Sequence, residues 1–454
     1  MTPARQMSLG LLPEGTGVHP ASWLDPSTPA NAAVNIRHYV DIARTAERGK
    51  IDFIFIADTP AARTSNLQCW SRFPLFMNVL EPVSLLSALA LQTTHLGLGG
   101  TATTSFNEPY NVARLFASLD HISGGRAAWN VVTSANEYVA LNFGLEELPP
   151  HTQRYERARE FLAVVEGLWD SYEDDAFVYD RRTGYYFDPA KLHVLDHHGP
   201  HFKVHGALNI GRTPQGRPVV IQAGASSAGR ELAAETADVV FGADESLELA
   251  QGFYRDLKGR MAKYGRTPDQ LRVLPALRVV LGGSAQEAED KYQTLQSLIH
   301  PDVALQFLAG DLEADLSGLD WDKPIPEERI PASANLHKNF FDKIVTRIRT
   351  ERPTLRQLCM SYERGNRTIK GTPMQVADMM EEWFGNGAAD GFMLLFLTLP
   401  SGLDDFVAGV VPELQRRGLF RQDYAGATLR ENLGLGWPVN RHAAQPAPKR
   451  VAVG

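Results

Sequence analysis

The stretch LDHISGGRAAWNVVTS, residues 119–134, contains the repeating unit from which we predict the fold of this chain. It begins as the end of a helix, turns at Gly124 and Gly125, and continues as a mostly apolar strand. The last five positions of the stretch include Asn130 and Ser134. A strand that begins apolar and ends in amide and hydroxyl groups indicates that its far end serves a site as well as the core.

Strand and helix alternate along the rest of the chain in the same way. Each predicted strand is a nearly continuous apolar run, which is typical of parallel strands covered on both faces. The eight predicted strands are residues 6–12, 51–58, 96–105, the end of the opening stretch, and residues 217–224, 238–243, 271–282 and 390–396. Eight strand–helix units close a (β/α)8 TIM barrel, which is the predicted fold. An open doubly wound sheet is the alternative, but LPEGTGVHP after the first strand does not match its GxGxxG pattern.

Two long segments interrupt this alternation, at residues 174–216 and 300–372. Segments of this length inside a compact domain are usually functional lids or disordered, and we expect lids. The sequence therefore predicts one barrel domain over residues 1–437 with these two insertions. Residues 438–454, rich in Ala and Pro, are predicted to form a flexible tail.

The composition excludes several classes of partner. A formal net charge of −8 argues against nucleic acid and anionic membranes as main partners. No run approaches the ~18 apolar residues of a membrane helix, and the N-terminus lacks the apolar core of a signal peptide. Cys69 and Cys359 are far apart and give no disulfide framework, so we interpret them as small core residues. These features predict a cytoplasmic protein in a reducing compartment.

Polar residues end several of the predicted strands, among them Asp58, Thr101, Asn130 and Ser134. In barrels, the carboxyl ends of the strands carry the binding and catalytic groups. This rim offers a carboxylate, a carboxamide and hydroxyls but few cations, which suits a large neutral heterocycle and suits a metal poorly. The turn GASSAG at residues 224–229 enters a helix, so it is either an anion site or simply a helix cap at Ser226. Taken alone, the turn favours the cap.

Histidines in three regions of the chain invite functional interpretations. His19 follows the first strand, where a base or substrate contact and an ordinary turn histidine are equally plausible. His151 and Tyr155 are four residues apart at a helix start and share a face, which is either a ligand contact or a solvated helix end. Five histidines crowd into HVLDHHGPHFKVHG at residues 193–206, but their spacing matches no established metal signature. We therefore favour local hydrogen bonding for that run.

Several motifs together resemble one protein family. They are the strand ending at Asp58, SGGRAAWNVVTS, HTQRYERARE, FDPAKLHVLDHHGPHFKV, PQGRPVVIQAGAS and GAADGFMLL. In this order they are similar to the bacterial luciferase-like flavin monooxygenases, in the branch of the nitrilotriacetate and dibenzothiophene-sulfone monooxygenases. The resemblance runs over about residues 6–436, nearly the whole chain. It implies a (β/α)8 barrel with insertions.

The resemblance also implies a cofactor and the residues that hold it. Reduced FMN is expected as a diffusing co-substrate with O₂, supplied by a separate NAD(P)H:flavin reductase. The matching positions assign flavin contacts at strand ends to Asp58 and Thr101, contacts near the phosphate and ribityl chain to His151 and Tyr155, the phosphate turn to Ser226, and ring contacts to Asn130 and Ser134. His19 is the catalytic candidate, and no metal site is expected.

The predicted reaction is oxygenation of a small organosulfur or organonitrogen compound, leading to C–S or C–N cleavage, by a homodimer or homotetramer. The apolar and aromatic segment LQCWSRFPLFMNVLEP, residues 67–82, favours a hydrophobic substrate, whereas Arg63, Arg352 and Arg356 are candidates for binding a polyanion. Three other functions remain open because a fold alone does not determine function. They are a deazaflavin-dependent oxidoreductase of the same superfamily, a non-catalytic flavin-binding protein and a metal-dependent barrel hydrolase.

Overall fold

Eight parallel strands close into a barrel in the order in which they occur along the chain. The computed structural model describes residues 5–73, 75, 77–134, 136–224, 226–242, 246–333, 338–361 and 368–443. The barrel strands are β1 (Ser8–Leu11), β2 (Phe53–Ile56), β3 (Gly97–Thr103), β4 (Ala127–Val132), β5 (Val219–Gln222), β6 (Val239–Gly242), β7 (Arg272–Leu281) and β8 (Gly391–Phe396). Strand β1 pairs with both β2 and β8, which closes the ring. The predicted eight-stranded barrel is confirmed, and all eight strands lie where the sequence predicts them.

Helices surround the barrel and connect its strands. The longer ones are α1 (Ile36–Arg48), α2 (Pro82–Ala90), α3 (Pro109–Ser123), α4 (His151–Trp169), α5 (Ser227–Thr236), α6 (Leu247–Arg260), α7 (Ala285–Ser297), α8 (Pro301–Leu312), α9 (Lys338–Glu351), α10 (Pro373–Gly385) and α11 (Ser401–Arg416). Four short helices are Leu67–Trp70, Glu137–Asn142, Leu355–Met360 and Leu429–Asn432. Helix α3 ends at Gly124, whose φ of 68° lies in the left-handed region that glycine adopts without a steric penalty. None of the helices in the described ranges has the length and apolarity to cross a bilayer.

The strand side chains form an inner and an outer core. Phe53, Phe55, Ile221, Leu274 and Met393 fill the barrel interior. The residues between them on each strand point outward and pack under the helices, because successive side chains on a strand alternate between its two faces. This alternation decides which side chains at the strand ends face the mouth of the barrel.

The second insertion packs into a second hydrophobic core, which also contains side chains from outside the insertion, such as Trp70 and Leu295. Leu308 and Leu312 of α8 pack with Ile344 and Ile348 of α9 and with Leu358. A short strand, Thr368–Gly371, then pairs with the carboxyl-terminal half of β7. The sequence predicts a helix in this insertion only around residues 340–349. The other helices were not predicted because they pack on one another and do not follow the strand–helix alternation of the barrel.

The first residues of the predicted tail are docked. Asn440 is buried and donates from Nδ2 to the carbonyl of Tyr172 at 2.8 Å. Arg441 pairs with the fully buried Asp170 at 3.3 Å. Residues 438–443 are therefore not the flexible tail that the sequence predicted, because contacts with Asp170 hold this segment against the barrel. Residues 444–454 lie outside the described residues.

Candidate active site

A cavity of about 420 Å³ lies at the carboxyl ends of β2, β4 and β5. Its volume falls in the range of small-molecule and cofactor sites. It is lined by Asp58, Thr59, Val131, Val132, Thr133, Ser134, Asn136, Val139, His151, Arg154, Tyr155, Gln222, Ala223, Gly224, Ser226, Gly229 and Leu232. Five of the predicted cofactor-binding residues are thus brought together: Asp58, Ser134, His151, Tyr155 and Ser226.

The first turns of α4 form an aromatic wall of this cavity. The rings of His151 and Tyr155 lie with their centroids 4.6 Å apart and their planes at 40°. Residues four apart on a helix lie one above the other, so both rings face the same way. The shared face predicted from their spacing is present, and it is turned toward the cavity.

The turn before α5 brings a helix N-terminus to the same cavity, next to the aromatic wall. Ser226 is the N-cap, and its Oγ accepts the N–H of Gly229 at 3.1 Å. A Cβ on Gly224 would lie 2.9 Å from the carbonyl carbon of Gly229, and a Cβ on Gly229 would lie 3.1 Å from the hydroxyl of Tyr155. Glycine at both positions therefore permits the close packing of turn, helix and aromatic wall. A helix N-terminus carries partial positive charge and unpaired N–H groups, which suits an anion such as a phosphate.

Thr101 and Asn130 are buried side by side in neighbouring strands and do not line the cavity. Asn130 donates from Nδ2 to Oγ1 of Thr101 at 3.0 Å, and Thr101 donates to the carbonyl of Ile56 at 2.9 Å. The Oδ1 atom of Asn130 is buried without a hydrogen-bond partner among the described residues. An unused buried acceptor is costly, and none of the described residues satisfies this one.

Arg154 is a cavity residue that the sequence analysis did not select. It lies on α4 between His151 and Tyr155, and it is the one Lys or Arg among the described residues that line the cavity. Its Nη1 donates to the carbonyls of Thr133, at 3.1 Å, and of Ser134. Burial lowers the pKa of the guanidinium. Its position within the quoted motif HTQRYERARE is the signal from which it could have been found.

Asp58 contributes the carboxylate of the cavity. Burial raises the pKa of Asp58 to about 6, and the N–H of Thr59 opposes that shift by donating to the charged form. The nearby Glu81 raises the pKa further through charge repulsion. Asp58 therefore exchanges a proton in a pH range in which ordinary aspartates are fully ionised.

His19 lies away from this cavity. Its Nδ1 accepts the N–H of Ala21 at 3.1 Å, so its Nε2 carries the hydrogen and donates to Oε1 of Gln296 at 2.8 Å. Burial lowers the pKa of His19 to about 4, which keeps the ring neutral at physiological pH. Because both ring nitrogens are occupied, this geometry favours a role in holding the loop after β1 over the predicted catalytic role.

The histidines of the run at residues 193–206 pair with neighbouring carboxylates. His193 pairs with Glu173 at 2.9 Å and His197 with Glu160 at 3.0 Å. Asp196 lies 3.4 Å from His198 and 3.1 Å from His205. Within the described ranges, no group of three or more His, Cys, Asp or Glu side chains is arranged to hold a metal ion. The Asp196 contacts are the local hydrogen bonding expected for the run, whereas Glu173 and Glu160 lie 20 and 37 residues along the chain from their histidine partners.

Comparisons with known proteins give consistent results. A family described as luciferase-like monooxygenase matches residues 15–390. The chain is 49% identical to nitrilotriacetate monooxygenase component A of Aminobacter aminovorans, an alignment that covers 96% of this chain and 98% of that protein. It is 45% identical to N-acetyl-S-(2-succino)cysteine monooxygenase of Bacillus subtilis (strain 168), over 97% and 99% of the two chains.

A solved structure agrees with this relationship. A riboflavin lyase determined with modified FMN and riboflavin superimposes with a TM-score of 0.83 at 30% identity, over 96% of this chain and 97% of that one. The family match covers well over half of the chain, and the two relatives cover nearly all of it. The chain belongs to the luciferase-like monooxygenase family.

Proposed function

We propose that this protein is the oxygenase component of a two-component monooxygenase, which uses reduced FMN and O₂ to oxygenate a small organosulfur or organonitrogen compound. The observation that carries the proposal is the cavity at the strand ends. It combines the N-terminus of α5, the aromatic pair His151 and Tyr155, and the carboxylate of Asp58. These are the groups needed for the phosphate, the chain and the polar ring edge of a flavin mononucleotide.

The residues present fit FMN at each part of the molecule. The phosphate would lie at Ser226 and Gly229, where a helix N-terminus meets the cavity. The carboxylate of Asp58 and the hydroxyl of Ser134 lie in the same cavity and fit the polar edge of the flavin ring. When bound, reduced FMN supplies the electrons that activate O₂, and the protein supplies orientation and shielding.

The chain's own part in the reaction is to exclude water and to manage protons. Val131, Val139 and Leu232 make apolar walls of the cavity. Such walls strengthen the polar contacts inside and suppress side reactions with water. The carboxyl of Asp58 holds or releases a proton near pH 6, at the edge of the same cavity. The two insertions are the segments we expect to close over the substrate.

We infer that electrons come from a separate NAD(P)H:flavin reductase by diffusion of reduced FMN. The turn after β1 lacks the glycine pattern of a dinucleotide site, which supports a separate reductase. We further infer a homodimer or homotetramer. We also infer a cytoplasmic location, which the two distant cysteines favour because they give no disulfide framework.

The names of the relatives guide the choice of substrate. Nitrilotriacetate carries carbon next to nitrogen, and N-acetyl-S-(2-succino)cysteine carries carbon next to sulfur. Oxygenation of such a carbon produces an unstable centre that breaks down with C–N or C–S cleavage. We therefore propose a substrate in which a heteroatom adjoins the oxidised carbon.

The test has two stages. First, photoreduced FMN is added anaerobically and its retention by the protein is measured by ultrafiltration, with a reduced deazaflavin as the comparison. Second, thioethers and tertiary amines are supplied with ¹⁸O₂ and a flavin reductase, and ¹⁸O in the products is measured by mass spectrometry. Retention of FMN and ¹⁸O incorporation are expected. Preference for the deazaflavin would favour a hydride-transferring oxidoreductase, and retention without ¹⁸O incorporation would favour a flavin-binding protein.

A further inference from the structure

A second, smaller cavity of about 50 Å³ lies at the carboxyl ends of β1 and β2. Ala57 lines this small cavity, and the next residue along the chain, Asp58, lines the proposed flavin cavity. The two cavities therefore border the same strand end. Because a barrel carries its binding groups at this end of its strands, the small cavity lies where a substrate beside the flavin would be held.

Apolar side chains make most of the wall of the small cavity. They are Tyr39, Ile56, Phe73, Leu75, Val79 and Leu80. Val79 is 43% exposed, whereas Tyr39 and Ile56 are buried, so the lining extends from solvent into the core. Protein interiors hold few voids larger than a water molecule. An apolar void that is kept open at this end of the barrel therefore fits a ligand group.

The small cavity offers no positive charge to a ligand. Among the described residues that line it there is no Lys or Arg, and the one acidic residue is Glu14. An ionised Glu14 repels an anion, and a protonated Glu14 does not attract one by charge. A substrate with several carboxylates would lose its hydration here without gaining a charged partner.

Two of the three arginines that the sequence offers for binding a polyanion contact other side chains. The guanidinium carbon of Arg63 lies 4.2 Å from the ring centroid of Trp70, and Arg356 pairs with Asp322 at 2.8 Å. Neither of these arginines, nor Arg352, is among the described residues that line the small cavity or the flavin cavity. Of the two kinds of substrate that the sequence left open, the structure therefore favours the hydrophobic one.

The volume of the small cavity limits the size of the group that enters it. It is about one third of the ~150 Å³ of an apolar cavity that binds benzene, so it has room for about one or two carbon atoms and not for a ring. We propose that the small cavity receives a methyl or ethyl group attached to the heteroatom of the substrate, and so selects uncharged compounds with short alkyl groups, such as dialkyl thioethers. This inference rests on the proposed function, since it names the class of substrate for the same site.

The test is equilibrium binding of volatile sulfides to the full-length protein with reduced FMN under nitrogen, where no oxygenation occurs. Headspace gas chromatography measures free dimethyl, diethyl and di-isobutyl sulfide. Hydrophobic partition alone strengthens binding with every added carbon. We expect instead that diethyl sulfide binds at least about tenfold more tightly than di-isobutyl sulfide, because the larger group overfills the cavity. Excess thiodiacetate, a dicarboxylate thioether, is expected not to displace diethyl sulfide.

Two variants change the volume of the small cavity in opposite directions. Leu80→Ala enlarges it and is expected to bind di-isobutyl sulfide about tenfold more tightly than the wild type does. Ala33→Leu fills it and is expected to weaken the binding of diethyl sulfide by about tenfold. The matched controls, Leu91→Ala and Ala30→Leu, make the same changes at exposed side chains and are expected to bind all three sulfides like the wild type. Circular dichroism melting establishes that each variant is folded.

Each result decides the proposal. Affinity that rises through the whole sulfide series, an unchanged preference in Leu80→Ala, displacement by thiodiacetate, or no binding of any sulfide overturns it. Size-selective binding by a protein that transfers no ¹⁸O to any compound would sustain the assignment of the small cavity and remove the proposed function. Transfer of ¹⁸O without selection by size would do the reverse.

Discussion

Arg154 donates a hydrogen bond to the backbone carbonyl of Ser134, and Ser134 has a left-handed φ of 41°. A residue other than glycine adopts this conformation at a cost, which surrounding contacts must offset. The same serine donates from Oγ to Thr103 at 2.7 Å. The turn at the end of β4 is therefore held from two sides, by α4 and by β3, in the wall of the proposed flavin site.

Replacing Arg154 is expected to weaken the binding of reduced FMN. In Arg154→Met the carbonyls of Thr133 and Ser134 lose their donor, and the turn relaxes away from the cavity. We expect affinity to fall by about tenfold, equivalent to ~1.4 kcal/mol. Anaerobic fluorescence titration measures the change. The matched control is Arg159→Met on the same helix, whose guanidinium pairs with Glu235 at 2.8 Å away from the cavity; an equal loss there would contradict the assignment.

Variants at two helix caps can distinguish the structural role of Ser226 from its proposed role in binding a phosphate. Ser226 caps α5 at the cavity, and Ser246 caps α6 by accepting the N–H of Leu249. Removing either hydroxyl with Ala is expected to cost about 1 kcal/mol of stability, because each helix loses one cap. Only Ser226→Ala is expected to lower the affinity for FMN. If both variants bind FMN like the wild type, Ser226 is a cap alone.

The half-buried carboxyl of Asp58 makes the free energy of unfolding depend on pH. Its pKa is raised from 3.8 to about 6, so the folded protein binds this proton more tightly than the unfolded chain does. The stability that the protonated Asp58 contributes is therefore lost as pH rises from about 4 to about 6. Asp58→Asn has no proton to release and does not show this loss. We expect the Tm of Asp58→Asn, relative to that of the wild type, to rise by about 1–2 °C between pH 4 and pH 6.5. Parallel Tm curves for the two proteins would contradict this.

His19 offers a direct comparison of catalytic and positioning roles. Loss of the buried hydrogen bond between His19 and Gln296 is expected to destabilise the protein by about 1–3 kcal/mol, whichever partner is replaced. His19→Ala and Gln296→Ala should then lower the Tm alike and retain turnover per folded molecule, measured as substrate consumed with saturating reduced FMN. A loss of turnover confined to His19→Ala, with a normal pH profile in Gln296→Ala, would restore the catalytic role.

The site could be predicted from the sequence where residue type and position on a strand suffice. Asp58 and Ser134 follow apolar runs, so they had to lie at the carboxyl ends of parallel strands. Arg154 escaped prediction because its partners, two carbonyl groups, are invisible in the sequence and about twenty residues away.

The sequence by itself determined the eight strands, their parallel arrangement and the end of the barrel at which polar groups gather. Apolar runs and helix boundaries are local signals, and the closure number eight follows from counting them. Only the tertiary structure decided that His19 is hydrogen-bonded to Gln296, that residues 438–443 dock on Asp170, and that α8 and α9 share a core with side chains from outside the insertion. Each of these features depends on residues that are distant in the sequence and become neighbours only in the folded protein. Hydrogen bonds and ion pairs between such residues give no periodic pattern in the sequence.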